Sequence, residues 1–145
     1  MKKLFLFASA ALFSVSLFAQ NPVKKAEDAV KFKELSFNFG KIKQNVPVTH
    51  DFAFTNISNS PVLIATATAS CGCTTPHSPQ GAIAPGKTDT ISAQYSASGL
   101  GTFNKTVTVF LAGIEAPVVL TITGEVLNPD AYAKYQETKT NTPGR

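Results

Sequence analysis

Two cysteines and two histidines are the side chains of this 145-residue sequence best suited to special chemistry. Cys71 and Cys73 lie in "SCGCTTP" with Gly72 between them, His77 follows four residues after Cys73, and His50 sits in a separate segment. Residues two apart in an extended strand share a face, with Cα atoms about 6.6 Å apart. A disulfide wants Cβ atoms about 3.8 Å apart. An undistorted strand therefore forbids a Cys71–Cys73 bridge, and Gly72 is the residue that can bend the chain enough to permit one.

Four chemistries fit the pair. An oxidising compartment closes it as a strained local disulfide, whose tiny loop adds little chain-entropy stabilisation and whose strain eases reduction. Alternatively, both thiols stay reduced at a sheet corner and behave as small apolar side chains. A third chemistry is copper or zinc binding through Cys71 and Cys73 with His77 or His50, since two thiolates and imidazole suit these metals. The fourth is thiol–disulfide exchange at Cys71-Gly72-Cys73, which needs a cation or helix N-terminus to lower a thiol pKa, and neither is close in sequence. Competing with the metal set, His77 in "TPHSP" reads as a solvated loop residue, and His50 as a satisfied strand histidine on the face of Phe52 and Phe54. No nucleophile, histidine and carboxylate assemble by motif, because Asp51 beside His50 faces the opposite way. Phosphate-binding glycine loops, zincin helices and dinucleotide fingerprints are missing as well. The expectation is a non-enzymatic chain with no catalytic residue.

The elements that must position these residues are strands. In "VTHDFAFTN" Val48, His50, Phe52 and Phe54 share one face, and Thr49, Asp51, Ala53 and Thr55 the other. Ile91, Ala93 and Tyr95 align in "TDTISAQYS", Val107 and Val109 align with Phe103 and Lys105, and Val118, Leu120 and Ile122 align in "PVVLTITGEV". This period-two pattern predicts about seven strands, near residues 35–39, 48–55, 62–69, 73–75, 88–95, 103–111 and 118–126. Turn chemistry separates them, notably Pro85-Gly86, which suits a type II turn. A sheet apolar on one face must bury it against another, so the fold class is all-β, one domain built as a sandwich or barrel. The chain has no tryptophan, and its cysteines are too close for the inter-sheet bridge of antibody domains.

The ends differ from the middle. Lys2 and Lys3 followed by an uncharged apolar run from Leu4 to Ala19 have the layout of a secretory signal peptide, too short for a membrane span. The expected organisation is a signal peptide over residues 1–19, a linker over 20–32, the sandwich over 33–128 and a flexible polar tail over 129–145, with no membrane span after cleavage. Loss of the leader removes two lysines and lowers the formal charge from +4 to +2. So small a charge gives no electrostatic footprint for nucleic acid. The expected location is periplasmic or secreted.

The ordered set "LSFNFGKI", "VTHDFAFTNISNSPVLI", "ASCGCTTP", "IAPGKTDTISAQYSASGLGTFNKTVTV" and "LTITGEV" resembles the bacterial domain of unknown function 1573 (DUF1573) across nearly the whole chain between linker and tail. The resemblance implies an immunoglobulin-like β-sandwich in exported bacterial proteins and no established activity. One departure is "FLAG" after Val109, where a small polar turn, often with asparagine, is expected. "NIS" and "NKT" match the glycosylation acceptor pattern and count as chance matches in a bacterial chain. The functional expectation is binding to another protein or to a cell-envelope component. Copper or zinc binding and thiol–disulfide exchange are the alternatives.

Overall fold

Alternating apolar and polar side chains lay the chain out as two pleated layers. The computed structural model describes residues 25–140. Among the described residues the strands are β1 (Val30–Phe32), β2 (Ser36–Lys43), β3 (Val48–Asn56), β4 (Ile64–Ala69), β5 (Thr74–His77), β6 (Thr88–Tyr95), β7 (Gly101–Leu111) and β8 (Val118–Leu127), followed by helix α1 (Pro129–Thr140). One sheet has the order β1-β3-β6-β5 and the other β2-β8-β7-β4. The strand pairs are antiparallel except β2 with β8, which run parallel.

The inner faces are those the alternation indicated. Phe52 and Phe54 of β3, Ile91, Ala93 and Tyr95 of β6, Phe103, Val107 and Val109 of β7, and Val118, Leu120 and Ile122 of β8 are all buried. Each large apolar side chain taken fully from water contributes about 1.5–3 kcal/mol, which makes this interlayer contact the main stabilising term. Phe103 stacks on Tyr95 with ring centroids 4.1 Å apart. It approaches β8 so closely that a Cβ on Gly124 would lie 2.7 Å from its ring and 2.9 Å from the Gly40 carbonyl oxygen.

Polar groups inside the domain are paired. Asn56 is completely buried. Its Nδ2 donates to the carbonyls of Ser60 at 2.9 Å and Ile83 at 2.8 Å, and its Oδ1 accepts from the Ser58 backbone N–H at 2.9 Å and hydroxyl at 2.8 Å. The "NIS" acceptor amide is therefore closed to solvent and already engaged. The expected type II turn forms, with the Lys87 N–H donating to the Ala84 carbonyl at 3.1 Å and Gly86 at φ +75°. The unusual "FLAG" segment turns in a related way, with the Ile114 N–H donating to Leu111 O at 3.2 Å and Gly113 at φ +74°.

Three features differ from the sequence expectation. The leader and cleavage point fall outside the described residues, but the linker expected up to residue 32 is built into the sandwich from residue 25 onward. There a 3-10 turn, Ala26–Asp28, leads into β1, and Ala26, Ala29 and Val30 are buried. This adds an eighth strand. The expected polar tail is helical from Pro129 to Thr140. Asn128 caps it, its Oδ1 accepting from the Ala131 N–H at 2.8 Å, with Pro129 in the first turn. Tyr135 packs back on the domain, with the Lys41 ammonium 5.1 Å from its ring centre. The short strand expected at 73–75 begins at Thr74 and runs on to His77.

Two substitutions test this packing. Gly124→Ala is expected to cost about 1–3 kcal/mol by pushing Phe103 off Tyr95. Asn56→Ala, which removes the buried amide that ties Ser58, Ser60 and Ile83 together and takes the acceptor from the Ser58 N–H, is expected to cost about 1–3 kcal/mol. Both should appear in urea denaturation as a lower midpoint with an unchanged slope.

Candidate functional site

The cysteine pair lies where the chain passes from one sheet to the other. β4 is an edge strand of the β2-β8-β7-β4 sheet, and β5, which follows it, is an edge strand of the opposite sheet. The crossing takes four residues. Ser70 still pairs with β7, its N–H donating to Thr106 O at 2.9 Å and its hydroxyl accepting from the Thr106 N–H at 3.1 Å. The Thr74 N–H then donates to Cys71 O at 3.2 Å, closing a β-turn over residues 71–74, and Cys73 O accepts from the Ser96 N–H at 3.0 Å. The turn brings the two Cα atoms to 5.3 Å, and Cys71 and Cys73 form a disulfide. Of the four chemistries left open by the sequence, the structure thus holds the oxidised pair. Cys73 packs against the core, and Thr74 beside it is buried with its hydroxyl oxygen 3.7 Å from Cys71 Sγ.

Gly72 works differently from the expectation. Its φ is not in the positive range, and an added Cβ would meet nothing within 4 Å. The bend comes from the turn as a whole, in a conformation open to other residues.

The histidines are not gathered at the sulfurs. His50 and Pro76 both lie beside Ala93, whereas His77 lies beside Ser92, which in turn lies beside Asp51. Laterally paired residues share a sheet face, so His50 and His77 face opposite sides. His50 is stacked on Phe37 at 3.6 Å between centroids, meets the edge of Phe52 at 4.7 Å, and has Nε2 3.0 Å from Glu34 Oε1. His77 is exposed on β5. Among the described residues no three His, Cys, Asp or Glu side chains cluster to hold a metal ion. The copper or zinc set of Cys71, Cys73, His77 and His50 is therefore not assembled: the sulfurs are bonded to each other and the imidazoles diverge.

Sequence reading missed a second feature, the free edges of the two sheets. Three carry devices that discourage pairing. β1 is three residues long and holds Lys31, and β5 contains Pro76. β2 carries Lys41 and Lys43. β4 reads "IATATA", without charge or proline, and after one register shift between Ile64 and Thr66 it pairs regularly with β7. The Ser70–Thr106 bond sets the phase: Thr66 and Thr68 direct their peptide groups at β7, and Ala67 and Ala69 direct theirs to the open side. The absence of charge in "ATATA" was the available signal. That this strand ends a sheet was not readable locally.

Among the described residues the geometry defines an eight-strand, two-sheet sandwich of immunoglobulin-like type, with a local disulfide at one sheet crossing and one edge, β4, without charge or proline. The chain belongs to the family described as protein of unknown function (DUF1573), whose model matches residues 30–126. No curated protein matches the chain. Among solved structures it is similar to PapD-like domain 7 of human CEP192, at 9% identity over 83% of this chain and 99% of that one, with TM-score 0.55. It is also similar to a protein of unknown function from Porphyromonas gingivalis W83, at 11% identity over 76% of this chain and 51% of that one, with TM-score 0.58. A third likeness is to the VesB protease of Vibrio cholerae, at 15% identity over 70% of this chain and 33% of that one, with TM-score 0.54. At these identities the likeness is one of fold, and the chain spans about half of the Porphyromonas protein and a third of the protease.

Gly72→Ala is expected to keep both the disulfide and the fold, with stability changed by less than about 0.5 kcal/mol. Because the disulfide closes so short a loop, replacing both cysteines with serine should cost no more than about 2 kcal/mol. Thermal melting with and without reductant, together with thiol titration, checks both outcomes.

Proposed function

We propose that this chain is an exported, non-enzymatic binding domain of the periplasm or cell exterior that docks a protein partner by strand addition along β4. The observation that carries the reading is the β4 edge itself, uncharged, free of proline and with the peptide groups of Ala67 and Ala69 turned outward. An extended segment laid along such an edge gains main-chain hydrogen bonds, and small side chains let it approach closely. The signal-peptide layout of the first 19 residues supports export, and the disulfide is in keeping with an oxidising compartment.

A second reading, thiol–disulfide exchange at Cys71-Gly72-Cys73, is favoured by one observation: the bond lies in a turn whose middle residue is exposed. It requires that the reduced protein reduce a model disulfide and that Cys71→Ser abolish this.

The binding reading is tested with a photo-crosslinking residue at Thr68, on the exposed face of β4. Capture of a protein in the intact cell envelope is expected, with loss in Ala67→Pro, which removes only an outward N–H and leaves the β7 ladder whole. Equal capture by the proline variant, or by a probe at Thr90 on the other sheet, would defeat the reading. Fractionation should recover the chain outside the cytoplasm without residues 1–19.

A further inference from the structure

We infer that the occupant of the β4 edge is β4 of a second copy of this chain, paired antiparallel about a twofold axis at Ala67. The inference rests on the reading of β4 as a docking edge and names its partner. Ala65-Thr66-Ala67-Thr68-Ala69 reads the same in both directions. A twofold antiparallel pairing centred on Ala67 sets Ala67 against Ala67 of the second copy and Thr66 against Thr68, within the regular stretch that follows the register shift at Ala65. Every side chain thereby meets one of its own size, or its own kind.

Hydrogen bonding agrees with this axis. Ala67 turns its N–H and C=O outward, so the residue on the axis exchanges both bonds with its counterpart, and Ala69 is in phase with it. Thr66 and Thr68 are exposed on the outer face, where Thr–Thr pairs across two strands are mutually favourable. Ala67 and Ala69 pack inward against the core, so they present no bulk to the incoming strand.

Charge selects the partner. Any isologous pairing brings an edge against itself, so a charged edge repels its own copy. β1 with Lys31 and β2 with Lys41 and Lys43 are excluded in this way, and β5 lacks a donor at Pro76. β4 carries no charge at all. The product is one continuous eight-strand sheet made from two β2-β8-β7-β4 sheets, with both β4 edges satisfied and no open end of that kind left to propagate a fibre. The regular contact is about three residues per copy, Thr66 to Thr68, well below the roughly 800 Å² per partner of a standard interface, so the dimer is weak and forms in a concentration-dependent way.

Sedimentation equilibrium of the processed chain, over a range from about 10 µM to 1 mM, reads the association directly. A rise in average mass toward twice the monomer is expected. Ala67→Pro, and separately Thr66→Lys with Thr68→Lys, should abolish that rise, the lysine pair because it sets like charges directly opposite. Partial recovery of the lysine variant at high salt is expected from screening. Under mild oxidation Ala67→Cys should give a covalent dimer at least tenfold more efficiently than Thr68→Cys, because only residue 67 meets its own copy. The lysine variant changes exposed positions only, so it serves if the proline variant does not fold. Monomer mass across the whole range, or a dimer that persists in the lysine variant, would overturn the inference. In either case, continued loss of envelope crosslinking in Ala67→Pro would leave the docking edge standing with a different partner, and retention of that crosslinking would remove both.

Discussion

The mutual burial of two inner faces governs this molecule. Phe52 and Phe54 on one sheet and Leu120, Ile122, Val107 and Val109 on the other leave water only by covering one another. Once the layers are stacked, the chain must pass from one to the other without stranding its own peptide groups. The Cys71–Thr74 turn meets that demand in four residues. It hands the Cys73 carbonyl to Ser96 and keeps Ser70 bonded to Thr106 on the side it is leaving. The disulfide spans this crossing, where the neighbouring strands already fix the chain on either side.

Much of this architecture was legible because period-two alternation is a direct image of a half-buried sheet. Pattern alone sets Phe52 and Phe54 of β3 and Ile91 of β6 on inner faces and groups Leu120 of β8 with Val118 and Ile122, and Pro85-Gly86 announces its turn. The failures have physical causes. β1 is only three residues, with Lys31 inside it and Lys33 after it, so it offers too short a run for an alternation to appear. Helix α1 has no buried residue and therefore no apolar stripe. Its signature was the cap, Asn128 followed by Pro129 and Asp130, which local composition masked as a solvated end. Strand geometry correctly demanded a bend between Cys71 and Cys73, but it misassigned the cause to glycine's special φ. His50 lies on the face that pattern indicates, while its stacking partner Phe37 and its hydrogen-bond partner Glu34 come from the β1–β2 region and became neighbours only through the packing of the layers.

The edges illustrate a different kind of limit. Whether a strand ends a sheet is a property of topology, and β4 and β7 look alike in composition: "TAT" in one, "TVT" in the other. β7 has partners on both sides, and β4 on one. The guards on the other three edges gain meaning only in that light. Lysine and proline are ordinary surface residues until they line the rim of a sheet.

The parallel pairing of β2 with β8 has a bearing on how the molecule comes into being. β2 has no strand neighbour in its sheet except β8. A ribosome must therefore finish nearly the entire domain before the first half of that layer finds its place. A nascent chain halted short of Val118 would leave β2 orphaned and a flank of β7 bare, a species ready for capture by chaperones or proteases. The architecture thus joins early and late segments so that only the finished polypeptide can close its second layer.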